Sequence, residues 1–147
     1  CKLGASHPFR GLPFRPDDPW VRSPRPVGGC TAALLLVRHA DFVAVGGFAE
    51  ELAQSAQDID LALKLQQHGR INWAIPDVVA IHRESQSRNP AIRWDEVSWL
   101  IDRWHDYLFE NPFVSPCFCR WSERLVLTLG EGRYPWRAIS RRLDCVN

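Results

Sequence analysis

The sequence predicts a single α/β domain, because an average globular composition is combined with strand-like apolar runs and two amphipathic helices. The 147 residues are 46% hydrophobic and 24% charged. These values are typical of one compact core and exclude disordered, collagen-like and disulfide-scaffold proteins. The 18 basic and 17 acidic residues give a net charge of +1. This balance creates no long-range field, so we expect no nucleic-acid partner and no attraction to an anionic membrane.

The longest apolar run, residues 30–37, is much shorter than the roughly 20 residues that a membrane helix needs. We therefore predict no membrane span and interpret the run as part of a buried strand over residues 27–37. The chain enters this strand through Gly28 and Gly29, where the missing side chains let a ligand or another backbone come close. Before the strand, six prolines between residues 7 and 26 predict an extended segment covering residues 1–26.

Two helices are predicted. The first covers about residues 58–68, since Ser55 followed by Asp58 resembles a capping box and Gly69 is placed as its C-terminal stop. The second covers residues 91–109, where apolar residues recur at spacings of three, four, three and four, which is one face of a helix. These residues are Trp94, Val97, Ile101, Trp104 and Leu108.

Two further strand-like segments lie between the helices. Residues 71–75 alternate in polarity, and residues 78–81 form a short apolar strand that ends at His82. A polar loop follows over residues 83–90, and Gly46-Gly47 marks an earlier turn. The order of these elements supports the α/β class.

The five cysteines indicate a reducing compartment. They are odd in number and, apart from Cys117 and Cys119, widely spaced, which favours free thiols and a cytoplasmic location. The 147 residues contain no secretory signal, and one could precede them. Cys117 and Cys119 are separated by one residue, which is tighter than a zinc knuckle requires. A zinc protein is therefore a minor alternative.

Three groups of residues could support chemistry. Asp58 and Asp60 open the first helix, where the macrodipole favours negative charge, so one could act as a general base; both could equally be ordinary first-turn acids. His82 could bind a metal or phosphate, or be a hydrogen-bonded structural histidine. Arg83 and Arg88 could hold phosphate oxygens, or simply be solvated.

The order of these motifs resembles the C-terminal half of family-2 glycosyltransferases. The resemblance covers residues 27–116, with residues 117–147 as a C-terminal extension that packs on the same domain. The matching segments are Gly28-Gly29-Cys30-Thr31-Ala32, Gly46-Gly47-Phe48-Ala49-Glu50, Gln57-Asp58-Ile59-Asp60-Leu61, Ile75-Pro76 to His82 with Ser85, Ser87 and Arg88, and Arg103-Trp104 to Pro116. Ala49 and Gln57 depart from the family pattern, which has acids at both positions.

The resemblance implies a partial GT-A-like mixed sheet with flanking helices, incomplete because the nucleotide-binding half of the family is missing. It implies that Asp58 is the catalytic base and that His82 helps to hold a Mn²⁺ or Mg²⁺ ion with the diphosphate. The implied substrate-binding residues are Gly28, Gly29, Cys30, Thr31, Asp60 and Arg88. The implied partners are a nucleotide-sugar donor and a hydroxyl acceptor, and the chain alone is expected to be inactive.

The alternative hypothesis is a non-catalytic binding or oligomerisation module derived from a glycosyltransferase. Loss of the nucleotide-binding half would uncover a sheet edge and a helix face, and self-association commonly covers such surfaces. We therefore expect a homo-oligomer.

Overall fold

A computed structural model of the chain describes residues 17, 19–81, 93–109 and 113. Four helices and two short strands lie within these residues, which agrees with a small mixed α/β architecture. The elements are α1 (Pro19–Arg22), β1 (Arg25–Val27), α2 (His39–Ala44), α3 (Gln57–Gln67), β2 (Asn72–Ala74) and α4 (Trp94–Phe109). The two long helices, α3 and α4, contain most of the buried side chains of this region.

Strands β1 and β2 form an antiparallel pair, in which Arg25 faces Ala74 and Val27 faces Asn72. Strand β2 confirms the strand predicted over residues 71–75. The prediction of a buried strand over residues 27–37 is wrong, because β1 ends at Val27 and Leu36 is 97% exposed. From Gly28 onward the backbone bonds to side chains rather than to a neighbouring strand, as described below.

Helix α3 confirms the first predicted helix and its stop at Gly69. The Gly69 N–H donates to the Gln66 carbonyl and the Arg70 N–H to the Leu65 carbonyl, both at 2.9 Å. This pair of bonds is the Schellman motif, and it requires the positive φ of 76° that Gly69 adopts. The predicted capping box is wrong, because Ala56 is the N-cap residue and no side chain caps the helix there.

Helix α4 confirms the second predicted helix over its described residues and has one kink, at Trp104. Trp104 and Leu108 of the predicted face are buried and pack with Leu52 and Leu63, together with Leu100, which the prediction left out. The predicted core residues Val97 and Ile101 are only half-buried. The predicted face was too long at its start. Trp94 is the first residue of α4 and is 69% exposed, whereas the buried part of the helix begins at Glu96 and continues at Leu100.

Two other predicted segments differ from the structure. Residues 78–81 form no strand, and Val79 and Ile81 are exposed. Within the proline-rich segment, Pro19–Arg22 form one helical turn and Arg25 begins β1. The predictions for residues 1–16, 18, 82–92, 110–112 and 114–147 lie outside the described residues.

Candidate functional site

The first turn of α3 places the Asp58 carboxylate beside the loop formed by residues 28–32. Asp58 Oδ2 accepts a hydrogen bond of 3.0 Å from the Ala32 N–H, and Oδ1 accepts one of 3.0 Å from the Ile59 N–H. Asp58 is half-buried. Both oxygens are therefore oriented by backbone donors in a residue that is not fully enclosed.

The other end of the loop is held by the end of α3. The Gly28 carbonyl accepts a bond of 2.6 Å from Gln66 Nε2 and a longer one of 3.4 Å from Asn72 Nδ2. Asn72 Nδ2 also donates to the Ala62 carbonyl at 3.1 Å, which links β2 to α3. These side chains satisfy the backbone acceptor that a continuing strand would have used.

Gly29 lies where the loop crosses α3 most closely. A Cβ built on Gly29 would be 3.2 Å from the Cβ of Ala62, tighter than ordinary van der Waals contact. Residues 58, 62 and 66 are four apart and so share one face of the helix. The loop therefore lies along a stripe of α3, with contacts at Asp58, Ala62 and Gln66.

Cys30 and Thr31 complete the loop. The Cys30 thiol donates to the Trp73 carbonyl at 3.4 Å, and burial raises the pKa of this thiol above its ordinary value. Thr31 Oγ1 accepts a bond from the Ala33 N–H, and the Thr31 carbonyl accepts one from the Leu34 N–H, both at 3.3 Å. The structure thus gathers the predicted residues Gly28, Gly29, Cys30, Thr31 and Asp58 in one region.

Asp60 faces away from this region. Its side chain is 0% exposed, and Oδ1 accepts a bond of 2.8 Å from the Trp104 indole N–H. The Lys64 ammonium lies 2.6 Å from Oδ2, and Arg103 Nε lies 3.5 Å from Oδ1. The substrate-binding role predicted for Asp60 is therefore replaced by a structural one, because the carboxylate is enclosed between α3 and α4 with no surface to offer a ligand.

Lys64 extends this buried cluster to the glycine turn. Its ammonium also donates to the Gly47 carbonyl at 3.1 Å. Gly47 has a φ of 64°, and a Cβ there would be 3.0 Å from the Phe42 ring. The turn predicted at Gly46-Gly47 is confirmed, and its second glycine is needed both for its backbone conformation and for the close approach of Phe42.

Glu96 is a buried acid that the sequence did not single out. It lies in the first turn of α4 and is 2% exposed. Its Oε1 accepts a bond of 2.9 Å from the Gln54 N–H, and its Oε2 one of 2.8 Å from the Ser55 N–H. Acids are common in the first turn of a helix, so the sequence contains no signal that singles out Glu96. Its role is visible only in its contact with Ser55, which lies 41 residues away in the sequence.

The candidate metal ligand His82 and the candidate phosphate ligand Arg88 lie outside the described residues, as do Cys117 and Cys119. Within residues 19–81 and 93–109, no group of three His, Cys, Asp or Glu side chains could hold a metal ion. Over the same part of the chain, no helix has both the length and the apolar character needed to cross a membrane.

We expect Gly29→Ala to destabilise the chain by about 1 kcal/mol, because the added methyl group overpacks against Ala62. Ala62→Gly also costs about 1 kcal/mol through lost helix propensity. The double variant should cost clearly less than the sum, since each change makes room for the other. Urea unfolding followed by tryptophan fluorescence measures all four proteins, and strictly additive losses would contradict the close approach of the loop.

Asp60→Ala should destabilise the chain by about 3–5 kcal/mol, because it leaves the Lys64 charge and the Trp104 indole N–H without their buried partner. Asp60→Asn keeps an oxygen for Trp104 and should lose less. Thermal unfolding of both variants, beside the control Asp95→Ala in the exposed ion pair with Arg93, tests the assignment. Equal stability of the Asp60→Ala and Asp95→Ala proteins would show that Asp60 has no structural role.

Comparison with known proteins gives several partial similarities. Over 99 residues, 60% of this chain, it is 34% identical to the N-acetylglucosaminyl-diphospho-decaprenol L-rhamnosyltransferase of Mycobacterium tuberculosis. Over 118 residues, 76% of the chain, it is 30% identical to the O-antigen biosynthesis protein RfbC of Myxococcus xanthus. The matched stretches cover 32% and 9% of these two proteins.

The chain therefore spans about a third or less of the curated relatives it matches. No family model matches the sequence, and no solved structure matches it significantly. The similarity to a rhamnosyltransferase relates the chain to glycosyltransferases at the level of sequence.

Proposed function

We propose that the chain is the acceptor-side part of a family-2 glycosyltransferase of the GT-A type, which transfers a sugar from a nucleotide donor to a hydroxyl acceptor. The observation that carries the proposal is the carboxylate of the half-buried residue Asp58, which is fixed at the start of α3 beside the glycine-containing loop 28–32. The similarity to a rhamnosyltransferase supports it independently.

In this proposal Asp58 is the general base of a direct displacement. The acceptor hydroxyl gives its proton to Asp58 as its oxygen bonds to the anomeric carbon of the donor sugar. The bond from that carbon to the nucleotide diphosphate breaks, and the diphosphate leaves with the electron pair. Each Asp58 oxygen accepts one backbone N–H, and a carboxylate oxygen can accept a further bond, so the base can bind a hydroxyl without losing its anchors.

The loop over residues 28–32 is proposed as a wall of the sugar pocket. The two glycines let a sugar approach the backbone closely, and the Thr31 hydroxyl lies on the same loop. By analogy with the named relative, the donor would supply a rhamnosyl group and the acceptor would be a sugar linked to a polyprenyl diphosphate. A Mn²⁺ or Mg²⁺ ion would neutralise the departing diphosphate, with His82 as the proposed protein ligand of the metal and Arg88 as a proposed contact of the phosphate oxygens.

We propose that the chain does not catalyse transfer alone, because the nucleotide-binding half is needed to present the donor. Incubation of the 147-residue chain with a panel of nucleotide sugars, Mn²⁺ and a polyprenyl-diphosphate-linked acceptor should yield no glycosylated product. Product formation by the isolated chain would overturn this part of the proposal.

Asp58→Asn should weaken calorimetrically measured binding of the acceptor about 3- to 10-fold, because one charge-assisted hydrogen bond to the hydroxyl is lost. In an enzyme completed by a nucleotide-binding half, the same change should lower kcat by about 10² to 10⁴. Asp102→Asn, an exposed acid on α4, is the matched control and should leave both values unchanged. Unaltered kcat in the Asp58→Asn enzyme would exclude Asp58 as the base.

The alternative function is a non-catalytic module that assembles through its apolar surface. Leu36 is 97% and Ile81 91% exposed, and Val79 is 72% exposed. Apolar side chains exposed to this degree are commonly covered by association.

The alternative predicts a homo-oligomer at micromolar concentration, measured by light scattering. Leu36→Asp and Ile81→Asp should each shift it toward monomer, because charges are costly in an apolar interface. Glu50→Gln, at an exposed site, is the control. A monomeric wild-type chain would contradict self-association.

A further inference from the structure

We propose that Glu96 is a positioning residue that fixes the start of α3 and thereby the placement of the Asp58 carboxylate. The inference rests on the proposed function only in naming Asp58 as the base. Glu96 lies on α4, whereas the backbone groups that it binds lie directly before α3. A residue of α4 therefore holds the backbone segment that leads into α3.

The contact is suited to a carboxylate. Gln54 and Ser55 present two successive backbone N–H groups, and each is accepted by a separate oxygen of Glu96 at 2.9 and 2.8 Å. A carboxylate provides two acceptors at this spacing, whereas an amide provides one and turns a donor toward the other N–H. Because Glu96 is 2% exposed, these bonds do not compete with bulk water.

The start of α3 depends on this contact because it lacks the usual local one. The N-cap residue Ala56 has a φ of 63° and provides no side-chain cap. A non-glycine residue in the left-handed region is strained by about 1 kcal/mol or more, and it persists only when its surroundings hold it. The two bonds from Glu96 hold the residues immediately before Ala56.

Glu96 is itself fixed by the core. It precedes the buried residue Leu100 by one helical turn and Trp104 by two, so these side chains share one face of α4. Asp58 follows Ser55 by three residues. The Ser55 N–H that Glu96 binds is therefore less than one helical turn along the chain from the proposed base.

The Ala32 amide reports on the placement of Asp58 without any activity measurement. Its N–H donates to Asp58 Oδ2 at 3.0 Å, and it is remote in sequence from both α4 and the Gln54 and Ser55 amides. A purely local role of Glu96 would protect only the two amides that it binds. A positioning role would also change the exchange of Ala32.

Amide hydrogen exchange measured by NMR on the 147-residue chain tests the inference. In the Glu96→Gln protein, exchange of the Gln54 and Ser55 amides should accelerate, and exchange of the Ala32 amide should accelerate about 5-fold. Asp58→Ala gives the largest change that loss of the carboxylate can cause at Ala32. Asp102→Asn is the surface control, and retained protection of the Leu100 amide shows that the fold is intact.

Acceleration at Gln54 and Ser55 with unchanged exchange at Ala32 would overturn the inference. If Glu96→Gln does not fold, Glu96→Asp replaces it, since one methylene less should weaken both bonds and give a smaller change at Ala32 in the same direction. An unchanged Ala32 amide in that variant, with altered Gln54 and Ser55 amides, would equally overturn it.

Activity of a completed enzyme separates this inference from the proposed function. Glu96→Gln should lower kcat about 10-fold with a smaller change in KM, because a displaced base affects the transition state more than binding. A response at Ala32 combined with full activity of the Asp58→Asn enzyme would retain the positioning role and reject Asp58 as the base.

Discussion

The described part of the molecule depends on one buried charge. Asp60 is enclosed between α3 and α4, and an isolated carboxylate there would cost several kcal/mol of desolvation. The cost is offset only when the Trp104 indole N–H and the Lys64 ammonium are both in place. Since Lys64 also binds the Gly47 carbonyl, the two helices and the glycine turn must form together. The contacts of Asp60 and Lys64 therefore also fix the position of the first turn of α3, which contains Asp58.

The same turn explains how two acids separated by one residue acquire opposite roles. Residues two apart on an α-helix point about 200° apart, because each residue advances about 100°. When Asp60 faces α4, Asp58 must face the other side, where the loop over residues 28–32 lies. The two acids of Asp58-Ile59-Asp60 therefore do not face the same site. The Asp60 carboxylate connects the two helices, and the Asp58 carboxylate binds the loop over residues 28–32.

The sequence predicted the parts of the fold whose signals are local. Helix α3 and its stop at Gly69 follow from periodicity and from one glycine with a positive φ, and both depend on residues within a few positions. The predicted strand over residues 27–37 is wrong, because a strand needs a neighbouring strand to bind its backbone, and a run of apolar residues does not show whether one is present. The predicted side-chain cap at Ser55 is wrong, because Ser55 is held instead through its backbone N–H, which donates to Glu96, 41 residues away. The order of the motifs predicts Asp58 as a candidate base. The burial of Asp60 could not be predicted in the same way, because it depends on where α4 packs against α3.

The site differs from an ordinary flexible loop because a helix sets its register. Asp58, Ala62 and Gln66 are spaced four residues apart, so their contacts with Ala32, Gly29 and Gly28 are separated by about 6 Å per step along the helix axis. A helix does not stretch, and three contacts at fixed spacing therefore restrain the loop along its length. The candidate base and the candidate sugar-binding backbone are thus held beside each other by three separate contacts along α3. A change that moves α3 as a whole carries both groups together, whereas a change at its first turn, where Glu96 acts, alters the base relative to the loop.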